Sequence, residues 1–345
     1  MEITTVGLDI AKRVFQLHGI DAAGKAVLRR KLQRSEVLAF FKALPPCLVG
    51  IEACGTAHYW AREIRKAGHE VRLMPPSYVA PYVKRGKNDA ADAAAICEAV
   101  TRPTMRFVPI KTAEQQAVLM LHRTRDLLVR QRTMLVNALR GHMAELGVIA
   151  PQGIARVADL VAVLLGEDTT NVPALAREAL RGLAAELEAL DRRVKEIEVA
   201  IVRWHKDNEA SRRLATIPGV GPITASAIVA TITDPFQFHS ARHLAAWIGL
   251  VPRQHSSGGK QRQGGISKQG DRYLRRLLVL GATAVIRHSR SKSTAEAGWL
   301  KSLLERRPAR LVSVAQANKM ARIVWALLVH GEAYRRPAAV PGGVA

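Results

Sequence analysis

The chain has 345 residues and carries 52 Lys and Arg against 29 Asp and Glu, a net charge of +23 spread along its whole length. A polyanion is therefore the natural partner. Charged residues interrupt every apolar run, which argues against a membrane role and favours nucleic acid over lipid.

The opening MEITTVGLDIAK enters a strand pattern without a basic leader and apolar block, so a cytoplasmic, nucleoid-associated protein is expected. Residues 3–10 alternate and then run apolar, as suits a central strand ending at Asp9. RVFQLHGID and AVLRRKLQR, separated by AAGK, read as two further antiparallel strands. SEVLAFFKAL follows as a helix with Ser35 as its N-cap, CLVGIEA as a buried strand ending at Glu52, and AHYWAREIRKAG as a helix stopped by Gly68. HEVRLMPP is a further strand, and KNDAADAAAI opens a helix capped by Asn88 or Asp89. Three strands, helix, strand, helix, strand, helix is the order of an RNase H-like (RuvC-like) mixed sheet, expected over residues 1–108.

Residues 111–146 turn wholly helical, with Val118, Leu121, Leu128, Leu135, Leu139 and Leu146 along one stripe. In a second helix Leu180, Leu183, Leu187, Leu190, Val194, Ile197, Ile201 and Trp204 alternate spacings of three and four, a heptad seam. Residues 109–208 are thus expected to be a coiled-coil region, its seam closed either by an antiparallel pair within one chain or by a second subunit. Residues 209–345 read as a mostly helical domain. Its LATIPGVGPITASAIVATI is either a helix-hairpin-helix, offering backbone N–H groups near Gly219 and Gly221 to a phosphate, or a plain tight turn between packed helices.

Two constellations carry chemistry. Asp89 and Asp92, three apart on a helix, project together; they are either a solvated acidic edge or half of a site. In the expected fold the first and fourth strands are neighbours, so Asp9 and Glu52 end side by side and face the helical pair. Four such carboxylates call for divalent cations, and Mg²⁺ (or Mn²⁺) suits their hard oxygens. Lys12, Lys84, Arg85 and Lys87 are placed to hold a nucleic-acid backbone or are ordinary surface charge. The second constellation, residues 249–278, combines glycines with Arg253, Lys260, Arg262, Lys268, Arg272, Arg275 and Arg276, a phosphate-handling surface. Ser256 and Ser257 precede Gly258 within it, either as loop residues or as a nucleophile, with His255 the local candidate base. Cys47, Cys54 and Cys97 lack zinc-site spacing and read as core thiols.

GLDIAK, GIEACG, KNDAADA, IPGVGPITA and GLVPRQHSSGGKQRQGGISKQGDRYLRRLL together resemble the DEDD transposases of the IS110 insertion-sequence family over nearly the whole chain. The resemblance implies an acidic tetrad at Asp9, Glu52, Asp89 and Asp92, and a nucleophilic serine at Ser257, with Ser256 the alternative. It also implies a covalent phosphoserine link to DNA, donor and target DNA as substrates, and a structured noncoding guide RNA. The two sites lie far apart in the chain, and the heptad seam points to their assembly in trans in a homo-oligomer (dimer or tetramer). The competing readings are a metal-dependent nuclease or junction resolvase that hydrolyses with water, and a non-catalytic basic scaffold. An actin-like ATPase lacks its Gly-rich phosphate loops here.

Overall fold

The computed structural model describes residues 2–84, 88–149, 162, 172–254, 262–289 and 295–335. The chain divides into two compact units, Met1–Gln116 and Ala117–Ala345, the second holding both the long helices and the C-terminal region.

The first unit is built on β1 (Thr5–Asp9), β2 (Val14–Ile20), β3 (Ala26–Gln33), β4 (Leu48–Glu52) and β5 (Glu70–Met74), in spatial order β3-β2-β1-β4-β5. β1 pairs antiparallel with β2 and parallel with β4, the mixed sheet expected from the element order. Side chains alternate across each strand. Val6, Leu8, Leu17, Val49 and Ile51 therefore share one buried layer with α1 (Val37–Ala43) and α2 (Ala57–Lys66). The opposite face receives α4 (Asp89–Val100), which follows the short α3 (Pro76–Val79).

Ser35 is not the cap of α1: the chain is already turning at residues 34–36, Glu36 occupies the cap position, and its carboxylate accepts from the Gln33 N–H at 2.6 Å. The stop at Gly68 is as expected, with φ +97° where a side chain would be strained.

In the second unit α5 (Ala113–Glu145) and α6 (Ala174–Asp207) lie antiparallel. Val136, Leu139 and Met143 pack on Leu180, Ala184 and Leu187, and Leu128 packs on Leu190 and Val194. Arg125–Glu198 and Arg132–Asp191 ion pairs, each 2.6 Å, flank the seam. These residues of the expected seam pack within the chain.

Beyond α7 (Glu209–Leu214) come α8 (Pro222–Thr231), α9 (Ala241–Trp247), the antiparallel ribbon β6 (Pro252–Gln254) and β7 (Gln263–Ile266), then α10 (Arg272–Ser289), α11 (Ala295–Arg306) and α12 (Ala309–His330). Their shared core runs from Leu214 and Ile228 through Leu274 and Leu278 to Met320 and Val324. His122 of α5, 1% exposed, sits between Tyr273 Oη and Ser226 Oγ, each at 3.1 Å, and ties the long helix to α8 and α10.

Candidate metal centre and nucleic-acid interface

Glycine decides how close α4 can come to the sheet. Gly7 and Gly50 are register partners on β1 and β4, and both face the helix. A Cβ at Gly7 would lie 2.7 Å from Cys97 Cβ and closer still to the Ala93 carbonyl and the Cys97 amide. One at Gly50 would lie 2.7 Å from Val100 Cβ. Real Cβ contacts essentially never fall below 3.0 Å, so only glycine fits this seat. From the other side Ala93, Ala95 and Ala99 are fully buried with almost no bulk, which explains the alanine-rich helix.

That close seat carries the helix N-terminus over the strand ends. Asn88 is the cap, its Oδ1 accepting from the Ala91 N–H at 2.8 Å, so Asp89 is left free of capping duty. Ligand oxygens of Asp9, Asp89 and Asp92 all lie within 4.8 Å of one another. Glu52 stands outside this tight trio but close enough to act electrostatically on Asp9. Burial, and then repulsion by Asp92, Asp89 and Glu52, pushes the Asp9 carboxyl up to about 6; the Ile10 amide opposes this. Burial and Asp92 also raise Glu52. Acids arranged to oppose their own ionisation, with hard oxygen donors turned to a common point, fit a divalent cation, and the helix N-terminus adds its own tolerance of negative charge.

Cys54, near Glu52, is raised by burial and by the Glu52 charge, and burial pushes Cys47 and Cys97 up to about 11, so all three thiols are protonated and inert as nucleophiles.

The basic candidates separate into two groups. Arg275 is spent inside the fold, donating to the Ile248 carbonyl at 2.7 Å and the Gln269 carbonyl at 2.6 Å, where it fastens the base of the β6–β7 ribbon to α9. Arg276 pairs with Asp126 of α5 and lies 5.3 Å from the Tyr273 ring centre. Arg253, Arg262, Lys268 and Arg272 are exposed around the ribbon, and Lys12 is exposed beyond β1. Ser256, Ser257, Lys260 and Lys87 lie outside the described residues. Gly219 has φ +84°, and its Cβ would meet the Gly281 carbonyl of α10 at 2.7 Å, so this glycine is accounted for by helix packing; Gly221, at the α8 cap, is exposed.

Sequence reasoning passed over the Gly7–Gly50 seat, whose signal was glycine inside two apolar strands. It also passed over Gln16, the register partner of Asp9 on β2.

A mixed sheet with carboxylates gathered at the end of its central strand, in a chain of this basicity, defines a metal-dependent enzyme acting on nucleic acid. A family model for DEDD transposases of the IS110 type matches residues 6–147, and one described as Transposase IS116/IS110/IS902 family matches residues 211–296. The chain is 52% identical over 336 residues to a probable family 20 transposase of Pseudomonas aeruginosa, covering 97% of this chain and 99% of that protein. It is 43% identical to the transposase for insertion sequence element IS1111A of Coxiella burnetii (97% and 92% covered) and 40% identical to that for IS1328 of Yersinia enterocolitica (97% and 99%). The chain belongs to the IS110 family of insertion-sequence transposases, enzymes that cleave and rejoin DNA.

Proposed function

We propose that this transposase works with two separated chemical groups, the acid tetrad Asp9, Glu52, Asp89 and Asp92 and the hydroxyl of Ser257. The observation that carries the reading is the convergence of Asp9, Asp89 and Asp92 on one point beside Glu52. Mg²⁺ or Mn²⁺ held there would neutralise charge on the scissile phosphate and its leaving oxygen. The carboxylates hold that ion and, through their mutual repulsion, keep the site unfavourable when empty.

Ser257 Oγ loses its proton, with His255 the local candidate base, and bonds to phosphorus; the bond from phosphorus to the adjacent sugar oxygen breaks and that oxygen leaves protonated. The DNA strand stays esterified to the serine until a second strand's hydroxyl takes the phosphate and returns the proton to Oγ. Arg253, Lys260, Arg262, Lys268 and Arg272 hold donor and target backbones and offset charge on the transferring phosphate, with backbone amides near Gly219 and Gly221, Lys12 and Lys87 as further phosphate contacts. A net charge of +23, more than one duplex calls for, supports a structured guide RNA as a second polyanion. Base pairing by that RNA supplies sequence choice. The distance in sequence between tetrad and serine supports their assembly in trans within a dimer or tetramer, acting in the cytoplasm at the nucleoid.

The test compares Ser257→Ala and Ser256→Ala for protein–DNA adducts on denaturing gels. The adduct disappears with the first and persists with the second. Full strand cleavage by Ser257→Ala replaces this mechanism with hydrolysis by water, the nuclease or resolvase alternative.

A further inference from the structure

The face of the sheet that α4 covers is only half filled. α4 lies over β1 and reaches both of its neighbours, β2 and β4, while beyond the helix the same face of β2 and β3 forms the floor of a cleft of about 670 Å³ running beside it from Asn88 to Arg102. Residues opposite one another in an antiparallel pair point to the same side. Gln16 opposite Asp9, and His18 opposite Gly7 and Arg29, therefore all face this cleft.

Three features define what it takes. The first is an orphaned polar group: Gln16 is only 7% exposed, yet its side-chain oxygen is buried without a hydrogen-bond partner among the described residues, at the end of the cleft nearest the acids. Burying such a group unpaired costs about 1–3 kcal/mol, which a ligand hydrogen bond would remove. The second is charge. Arg29 and Lys84 are exposed on the rim and stand close enough to His18 to lower its pKa, after the larger effect of burial. The lining acid Glu98 is paired with Arg102 at 2.8 Å. The third is shape and surface: Ala91 and Ala94 leave the helix wall shallow, Tyr82 supplies an aromatic ring, and α4's twelve residues make the trough about 18 Å long. Cations on the rim with an aromatic beside them suit a sugar-phosphate chain with exposed bases.

We propose that this cleft binds an unpaired nucleic-acid strand leading away from the acid cluster, with Gln16 as its innermost contact. The proposal rests on the reading of the acids as a nucleic-acid site.

The experiment measures anisotropy of labelled oligothymidylate and oligouridylate with the full chain in chelator, across a salt series. Arg29→Glu/Lys84→Glu weakens binding at least about tenfold and lowers the slope of log affinity against log salt by roughly 1.4, as loss of two single-strand phosphate contacts requires. Lys42→Glu/Lys66→Glu, an equal charge change on α1 and α2 of the opposite layer, leaves both unchanged. Gln16→Met weakens binding while the melting temperature holds or rises. Preference for thymidylate or uridylate identifies the strand as DNA or RNA. Equal losses in the two double variants, no loss in the first, or a mononucleotide competing as well as the oligomer overturns the cleft proposal while leaving the acid site standing. A parent chain that binds neither oligomer overturns the cleft proposal, and one that binds no duplex either overturns both.

Discussion

Replacing Gly7 by alanine tests whether the close seat of α4 assembles the acids. The added methyl would stand 2.7 Å from Cys97 Cβ, and closer to two backbone atoms of α4, where ordinary contact begins near 3.4 Å, so helix and strand must part by at least about 0.7 Å. Neither neighbour is the tip of a flexible side chain, so the shift falls on α4 as a body, and with it on Asp89 and Asp92 against Asp9. Overpacking of this kind costs about 1–3 kcal/mol, and displacement of reacting groups by about 1 Å costs on the order of a hundredfold in rate. Gly7→Ala therefore melts earlier and loses metal-dependent strand cleavage more severely than that stability loss explains, with weaker Mn²⁺ binding by calorimetry. Gly182→Ala is the control: no described residue lies within 4 Å, the position is inside α6, and alanine there stabilises by about 0.5–1 kcal/mol. Wild-type melting and cleavage in Gly7→Ala would refute the glycine-seat argument.

Asp92→Asn removes repulsion felt by both Asp9 and Glu52, so in chelator its melting temperature rises; the parent is stabilised by added Mn²⁺ and the variant is not. An Mn²⁺ response equal to the parent's would count against the tetrad. Burial, with a smaller contribution from Arg125, lowers His122 from 6.5 to about 4, so the unfolded chain takes up that proton first. The second unit accordingly keeps this stability above pH 6.5 and loses up to about 3 kcal/mol as pH falls towards 4. His122→Gln, which does not titrate, flattens melting temperature against pH in that window, and parallel curves would contradict it. Arg275→Met frees two loop carbonyls and destabilises by about 1–3 kcal/mol. Arg272→Met leaves stability within about 0.5 kcal/mol and lowers the salt slope of duplex binding by roughly 0.9, and matching losses in the two would erase the distinction between them.

Much of the first unit was legible because its signals are local. Period-two alternation marks each strand, Gly68 marks a helix stop, and three strands followed by alternating helices and strands leave few sheet orders open. Asp9 and Glu52 could be placed because each ends an apolar strand, and Asp89 with Asp92 because helical spacing puts them on one side. Ser35 misled because a serine before an apolar helix is a common cap, whereas here the turn out of β3 had already engaged Glu36.

The seam was readable as a stripe but not as a pairing: heptad spacing says that a face must be covered, not whether α5 of the same chain covers it. The arginines of residues 249–278 look alike in sequence, yet Arg275 and Arg276 are consumed by carbonyls and by Asp126, partners brought near only by folding. Sequence by itself determined the strand and helix order, the basic character and the identity of the clustered acids, because these follow from local periodicity and residue chemistry. Tertiary structure alone decided that two glycines on adjacent strands let a helix settle onto the sheet, and that Gln16 faces an open cleft beside Asp9. Close approach and burial are set by atoms distant in the chain, and no local pattern encodes them.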